Sequence, residues 1–263
     1  LRENIEKNAW DGEWYRRAYF DDGSPLGSKE NPECKIDSIA QSWSVLSGAG
    51  SNERTKQAME SASSFLVKKE NGIIQLFDPP FDKSDMNPGY IKGYVPGVRE
   101  NGGQYTHAAI WLVMAYAAMG NKERTWDLLQ MINPLNRGMN KENIAVYKVE
   151  PYVIAADVYA EPMNKGRGGW TWYTGSSGWM YQLIIEWFFG LHRRREKLFL
   201  KPCLPADWPS VKIKYRYMET TYHIEIIQNS NEHKGFINDE QKLQEDFVTM
   251  VDDRQDHQVK YYV

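Results

Sequence analysis

A chain of 263 residues makes one large domain or two small ones. Its net charge of −3, with no basic stripe, excludes nucleic acid as an implied partner. Cys34 and Cys203 lie far apart and read as reduced thiols, no apolar run nears the ~20 residues of a membrane span, and no signal peptide opens the chain, so a cytoplasmic segment is expected.

In chain order, apolar residues at near-helical spacing (Ile36, Ile39, Ala40, Trp43, Val45, Leu46) predict a helix stopped by Gly48 and Gly50. Ser51 or Asn52 then caps a second helix carrying Ala58, Met59, Ala62, Phe65 and Leu66. Asp78 to Gly103 is rich in proline and glycine with little periodicity, and a loop that long is usually functional. Ala108 to Met119 predicts a core helix, with Gly120 as its stop and Asn121 as the next cap. The junctions Gly50-Ser51-Asn52-Glu53-Arg54-Thr55 and Gly120-Asn121-Lys122-Glu123-Arg124-Thr125 mark a repeated αα-hairpin.

A second glycine-rich loop, Met163 to Ser177, holds Trp170, Trp172 and Tyr173 and precedes a predicted helix over Ser176 to Leu191. From Lys197 the pattern alternates with period two (Val211, Ile213, Tyr215, Tyr217, then Tyr222, Ile224, Ile226), which predicts strands. Asn229 to Gln244 is polar and turn-rich, and Phe247 to Val263 closes with one or two more strands. The expected architecture is mainly α over residues 1–195, followed by a small antiparallel β domain over 196–263.

Three segments carry candidate chemistry. Trp10-Asp11-Gly12-Glu13-Trp14-Tyr15 sets two acids among three aromatics. Burial against indole raises a carboxyl pKa and suits a general acid, although Asp-Gly is also a common turn pair. Arg99 to His107 runs through Gly102 and Gly103 into a helix, a natural anion site, with His107 in the first turns either as a ligand or as a core histidine. Gly168 to Gly178 offers hydroxyls, flexible backbone and a helix start, without the spacing of a nucleotide-binding loop. Glu150 either binds hydroxyls or pairs with Lys148. The five His and two Cys form no metal-ligand pattern, so no metal is expected. Aromatics make up 13 % of the chain, which fits either a large core or a surface that stacks on pyranose rings.

These motifs, taken in order, resemble glycoside hydrolase family 94: Trp10–Tyr15 with Arg17-Ala18, Gly27–Asn31, Ala40–Trp43, Pro88–Ile91 with Tyr94, Arg99–His107, Glu150–Tyr152, Trp172–Gly175 and Val251–Asp253 with His257. Asp37–Trp43 and Gly169–Gly175 resemble most the members that handle β-1,2-glucans, namely 1,2-β-oligoglucan phosphorylases and the C-terminal domain of cyclic β-1,2-glucan synthases. The resemblance implies part of an (α/α)6 barrel, with the N-terminal sandwich and early barrel helices missing before Leu1.

It also implies inverting phosphorolysis of a β-linked glucan to α-glucose 1-phosphate, with inorganic phosphate as co-substrate and no other cofactor. Residue by residue, it places the general acid on Asp11 and phosphate ligands on His107 (as a cation), Thr174 and Gly175, with Lys29, or else Lys35, as a basic ligand. Sugar contacts fall on Trp10, Arg99, Gln104, Lys148, Glu150 and Tyr152. The implied partners are a β-glucan oligosaccharide and phosphate, a second copy in a homodimer, and a membrane-bound synthase region in a full-length parent at the inner membrane. The alternatives are an inverting hydrolase with Glu100 or Glu150 as base, and a glucan-binding domain without catalysis. The isolated segment is expected to be inactive.

Overall fold

In the computed structural model, which describes residues 1–172, 174–228 and 234–263, Tyr173 of the second glycine-rich loop and Asn229–His233 of the polar stretch lie outside the described residues. The chain divides into two compact units. One is Leu1–Met119 with Asp127–Leu183, and the other is Gly120–Trp126 with Ile184–Val263. The cut falls before the change of sequence character near Arg193.

The first unit holds helices α1 (Arg2–Asn8), α2 (Ser38–Leu46), α3 (Asn52–Leu66), α4 (Thr106–Ala118), α6 (Lys141–Tyr147) and α7 (Thr174–Gln182). Helix α5 (Lys122–Ile132) begins in the second unit and ends in the first. The repeated Glu-Arg-Thr junctions build the same helix start twice. Ser51 Oγ accepts the Arg54 N–H at 3.4 Å and Asn121 Oδ1 accepts the Arg124 N–H at 3.0 Å. Thr55 and Thr125 each donate back to the cap carbonyl, at 2.8 and 2.7 Å. These bonds satisfy N–H groups that a helix start otherwise leaves open.

Helix α4 is buried on nearly every side and packs against α2 and α7. Such all-round apolarity marks a central helix. Trp111 of α4 meets Trp43 of α2 edge-on at 5.6 Å and Trp179 of α7 at 5.4 Å. The irregular loop after Asp78 is stapled rather than periodic. Asn101, fully buried, exchanges bonds with the Phe81 backbone at 2.8 and 2.9 Å and donates to Tyr94 O at 2.9 Å.

Two expectations are corrected. The helical unit also contains short antiparallel strand pairs, Ile36–Asp37 with Phe77–Asp78 and Gln104–Tyr105 with Asp157–Val158. Each lets the extended chain entering a helix pair with a returning loop, so the fold is mixed rather than mainly α. The helix expected over Ser176–Leu191 is regular only as α7, after which Leu183–Phe188 widens into π-type turns. Gly190, with φ of 78°, ends it where a Cβ would lie 2.2 Å from the Lys201 backbone.

In the second unit, five strands lie in the spatial order Ser210–Tyr217, Thr220–Ile227, Asp256–Tyr262, Gly235–Asn238, Gln241–Lys242. Thr220–Ile227 and Asp256–Tyr262 are parallel, so the β region is mixed and not purely antiparallel. The long stretch between them permits that pairing, which a hairpin cannot make. Tyr222, Ile224 and Ile226 bury one face. Trp126 stacks on Phe188 at 5.5 Å and meets Trp208 edge-on at 5.1 Å.

Candidate active site

The strand pair Gln104–Tyr105 with Asp157–Val158 leads directly into α4, and the Thr106 N–H donates to Ala156 O at 2.9 Å. On the other side of Asp157–Val158, the Ala156 N–H donates to Trp170 O at 2.6 Å and the Gly169 N–H to Asp157 O at 2.9 Å. The segment entering α4 and the segment leading towards α7 therefore flank one short strand.

That arrangement brings His107 to the start of α7: a Cβ on Gly175 would lie 2.7 Å from His107 Nε2. Glycine at this position leaves the imidazole room, at the second residue of a helix whose first N–H groups have no partner within the helix. Tyr105 stacks on His107 at 5.2 Å. Burial lowers the His107 pKa below the ordinary imidazole value, which works against the expected cationic form.

Six buried side-chain atoms without a hydrogen-bond partner among the described residues belong to this neighbourhood: Arg99 Nε, Glu100 Oε2, Thr106 Oγ1, His107 Nδ1, Trp111 Nε1 and Asp157 Oδ2. Each such group costs about 1–3 kcal/mol if it stays unpaired, and folded proteins leave few of them. Thr106 and His107 among them open α4, where a polar ligand would satisfy them. Arg99, at φ 51°, carries its guanidinium 4.2 Å from the Trp170 ring and 5.2 Å from Tyr94, with Glu100 Oε2 3.4 Å from its Nε.

Glu100 also lines a cleft of about 590 Å3 with Arg17, Asp37, Tyr90 and Tyr105. Asp37 caps α2 through Ile39 N–H at 2.7 Å, and burial pushes its carboxyl up to about 6 against the opposing pull of Arg17. Sequence reasoning placed Glu100 only as a hydrolase base and gave no role to Asp37, Trp111 or Asp157. The signal available for Asp37 was its position immediately before a helix.

The Asp11 turn differs from expectation. The Asp11 side chain is 1 % exposed. Its Oδ1 accepts from Arg16 Nη2 at 2.9 Å, its Oδ2 from the Lys29 N–H at 2.7 Å, and both oxygens from Ser28 Oγ at 3.1 Å. The flanking indoles are engaged elsewhere: Trp14 Nε1 donates to Gly27 O and Lys35 O, while the Trp10 ring packs on Tyr15 at 5.1 Å beneath Arg54 at 5.0 Å. Asp11 is thus a buried acceptor that ties the turn to Ser28 and Lys29, not an acid presented to a substrate. Lys29 serves the same turn, its ammonium pairing with Glu13 at 3.6 Å rather than standing as a phosphate ligand.

The remaining candidates separate by burial. Gln104 is 1 % exposed and its Oε1 accepts the Ile74 N–H at 2.9 Å, so it is a core amide and not a sugar contact. Trp10 is half-buried, its ring held between Tyr15 and Arg54. Lys148 ends α6 at φ 58°, and Glu150 accepts from Trp172 Nε1 at 3.2 Å instead of pairing with it. Tyr152 is exposed and meets Trp172 edge-on at 6.5 Å. Glu150, Tyr152 and Trp172 form an aromatic and acidic surface two residues before Thr174. Among the described residues, no group of His, Cys, Asp and Glu is arranged to hold a metal ion, and no helix is long and apolar enough to cross a membrane.

Residues 1–190 match the model of the glycosyl hydrolase 94 superfamily catalytic domain. Over 230 residues the chain is 50 % identical to the cyclic beta-(1,2)-glucan synthase NdvB of Rhizobium meliloti strain 1021, covering 88 % of this chain and 8 % of that protein. It is 28 % identical to the solabiose phosphorylase of Paenibacillus borealis over 237 residues, 89 % of this chain and 30 % of the relative. It is 30 % identical to the N,N'-diacetylchitobiose phosphorylase of Vibrio furnissii over 234 residues, 88 % and 28 % of the two chains. The chain thus spans less than a third of the length of each of these relatives.

Proposed function

Because the chain belongs to the glycosyl hydrolase 94 superfamily, we propose that it forms the phosphate- and sugar-binding part of an enzyme that splits β-linked glucans by inverting phosphorolysis, with β-1,2-glucooligosaccharides as substrate. The observation that carries this is His107 Nε2 facing Gly175, which sets an imidazole against the first turn of a nine-residue helix. Open N–H groups and the helix dipole favour an anion there. In its Nε2–H tautomer the imidazole donates to a phosphate oxygen, beside the Thr174 hydroxyl and the Gly175 N–H.

Phosphate held in this way attacks the anomeric carbon on the face opposite the departing glycosidic oxygen. The anomeric C–O bond to the leaving sugar breaks as the new C–O bond to phosphate forms, and the products are α-glucose 1-phosphate and a shortened glucan. An inverting hydrolase needs a second carboxylate to activate water, whereas phosphate is already a nucleophile. The cleft of Arg17, Asp37 and Glu100 takes the sugar, and the Glu150–Tyr152–Trp172 surface takes the adjoining part of the glucan. Since Asp11 is engaged as a buried acceptor, the proton reaches the leaving oxygen from a group outside this segment.

On this reading the helical unit is one part of an (α/α)6 barrel. The similarity to NdvB, of which this chain covers 8 %, fits a part of a larger synthase; a parent at the inner membrane with this segment on the cytoplasmic side, and a homodimer, complete the proposal. Glu100, beside the cleft with its Oε2 3.4 Å from Arg99 Nε, favours one second reading, a hydrolase using Glu100 as base. The test is sugar release from β-1,2-glucan, cellobiose and chitobiose, with and without phosphate, by the enzyme that carries this segment. Phosphate-dependent glucose 1-phosphate is expected. Free sugar released regardless of phosphate would establish the hydrolase instead. The 263-residue chain alone is expected to be inactive.

A further inference from the structure

We infer that Asp157 is a positioning residue that fixes the spacing between the two helix starts of the phosphate site, an inference that rests on the phosphate reading above. Asp157 is 1 % exposed and sits on the strand flanked by both approaches. Tyr105, two residues before His107, is its partner across the strand pair. On the other side its carbonyl accepts the Gly169 N–H at 2.9 Å and its Oδ1 accepts the Trp170 N–H at 3.3 Å.

The same carboxylate fixes Gly169, where a Cβ would lie 2.1 Å from Oδ1. Burial raises the Asp157 pKa above the ordinary carboxyl value, opposed by the Trp170 N–H and by the guanidinium and backbone N–H of Arg99. One side chain therefore holds the Arg99 turn, the entry to α4 and the Gly169–Trp170 stretch before α7. A carboxylate offers acceptors only, which is what the Trp170 and Arg99 N–H groups facing it require, whereas an amide would bring N–H donors of its own. The carboxylate thereby orients Arg99 and the two loops that lead to the helix starts. Asp157 touches no phosphate in this scheme and acts through His107 and Gly175.

The test is inorganic phosphate affinity, measured by phosphorus-31 NMR titration of the unaltered chain, Asp157→Asn, His107→Ala and the double variant. Asp157→Asn keeps the shape and removes the charge, and it is expected to weaken phosphate about tenfold alone but less than about twofold in the His107→Ala background. Gly169→Ala displaces the carboxylate without altering it and is expected to give the same loss, with circular dichroism confirming the fold of each variant. Equal factors in both backgrounds, or Asp157→Asn without effect where His107→Ala matters, would overturn the inference alone. A chain that binds no phosphate, or binds it equally well after His107→Ala, would overturn the phosphate reading and this inference with it.

Discussion

Asp37→Asn separates a buried charge from a helix cap. The Asp37 side chain caps α2 through the Ile39 N–H at 2.7 Å, and asparagine keeps that acceptor. Burial raises the carboxyl from the ordinary 3.8 to about 6, with Arg17 Nε 3.5 Å away pulling the other way. The native chain therefore binds this proton more tightly than the unfolded chain does. The resulting stability is present in full below pH 3.8 and is lost as pH rises towards 6. A difference of that size leaves the ionised native state about 3 kcal/mol less stable at neutral pH. Urea unfolding followed by tryptophan fluorescence should show Asp37→Asn equal to the unaltered chain near pH 4 and more stable by up to about 3 kcal/mol at pH 7.5. A stability difference that does not vary with pH, or a less stable variant at pH 7.5, would refute the reasoning.

Asp11→Asn should act chiefly on stability. It removes the anion that holds Arg16, the Ser28 hydroxyl and the Lys29 N–H, for a loss of about 1–3 kcal/mol by urea titration; abolished turnover with unchanged stability would restore Asp11 as the acid. Gly175→Ala should lower phosphate affinity by about tenfold or more through the 2.7 Å approach to His107 Nε2, while Gly178→Ala, open around its Cβ, should stabilise α7 by about 0.5–1 kcal/mol and leave affinity alone. His257 lies between Asp239 at 2.5 Å and Asp253 at 3.2 Å, and the bond to Asp239 leads the causes that raise its pKa. That contribution is complete below about pH 6.5 and lost as pH climbs through the folded value, so melting temperature should fall more steeply between pH 6 and 8 than in His257→Gln.

What was legible in the sequence was local. The Ser51 and Asn121 caps, the Gly48 and Gly120 stops and the period-two run from Val211 are each decided within a few residues, and the structure forms helices and strands at all of them. What stayed hidden depended on partners distant in sequence. Asp157 sits in an apolar run, Ala155-Ala156-Asp157-Val158, and nothing nearby signals the loops it joins. The family resemblance made Gln104 a sugar contact, but successive strand residues face opposite ways, and this one turns into the core. Asp11 looked like an acid because tryptophans flank it in sequence, yet its actual neighbours come from Arg16 and the turn at Ser28. The parallel pairing of Thr220–Ile227 with Asp256–Tyr262 likewise leaves no local mark.

The central claim is that phosphate binds where α4 and α7 begin. A crystal structure of the chain with inorganic phosphate tests it most directly. Phosphate bound to His107 Nε2, the Thr174 hydroxyl and the Gly175 N–H is the expected result. Phosphate bound at the Asp11 turn through Lys29, with the His107 site empty, would contradict it.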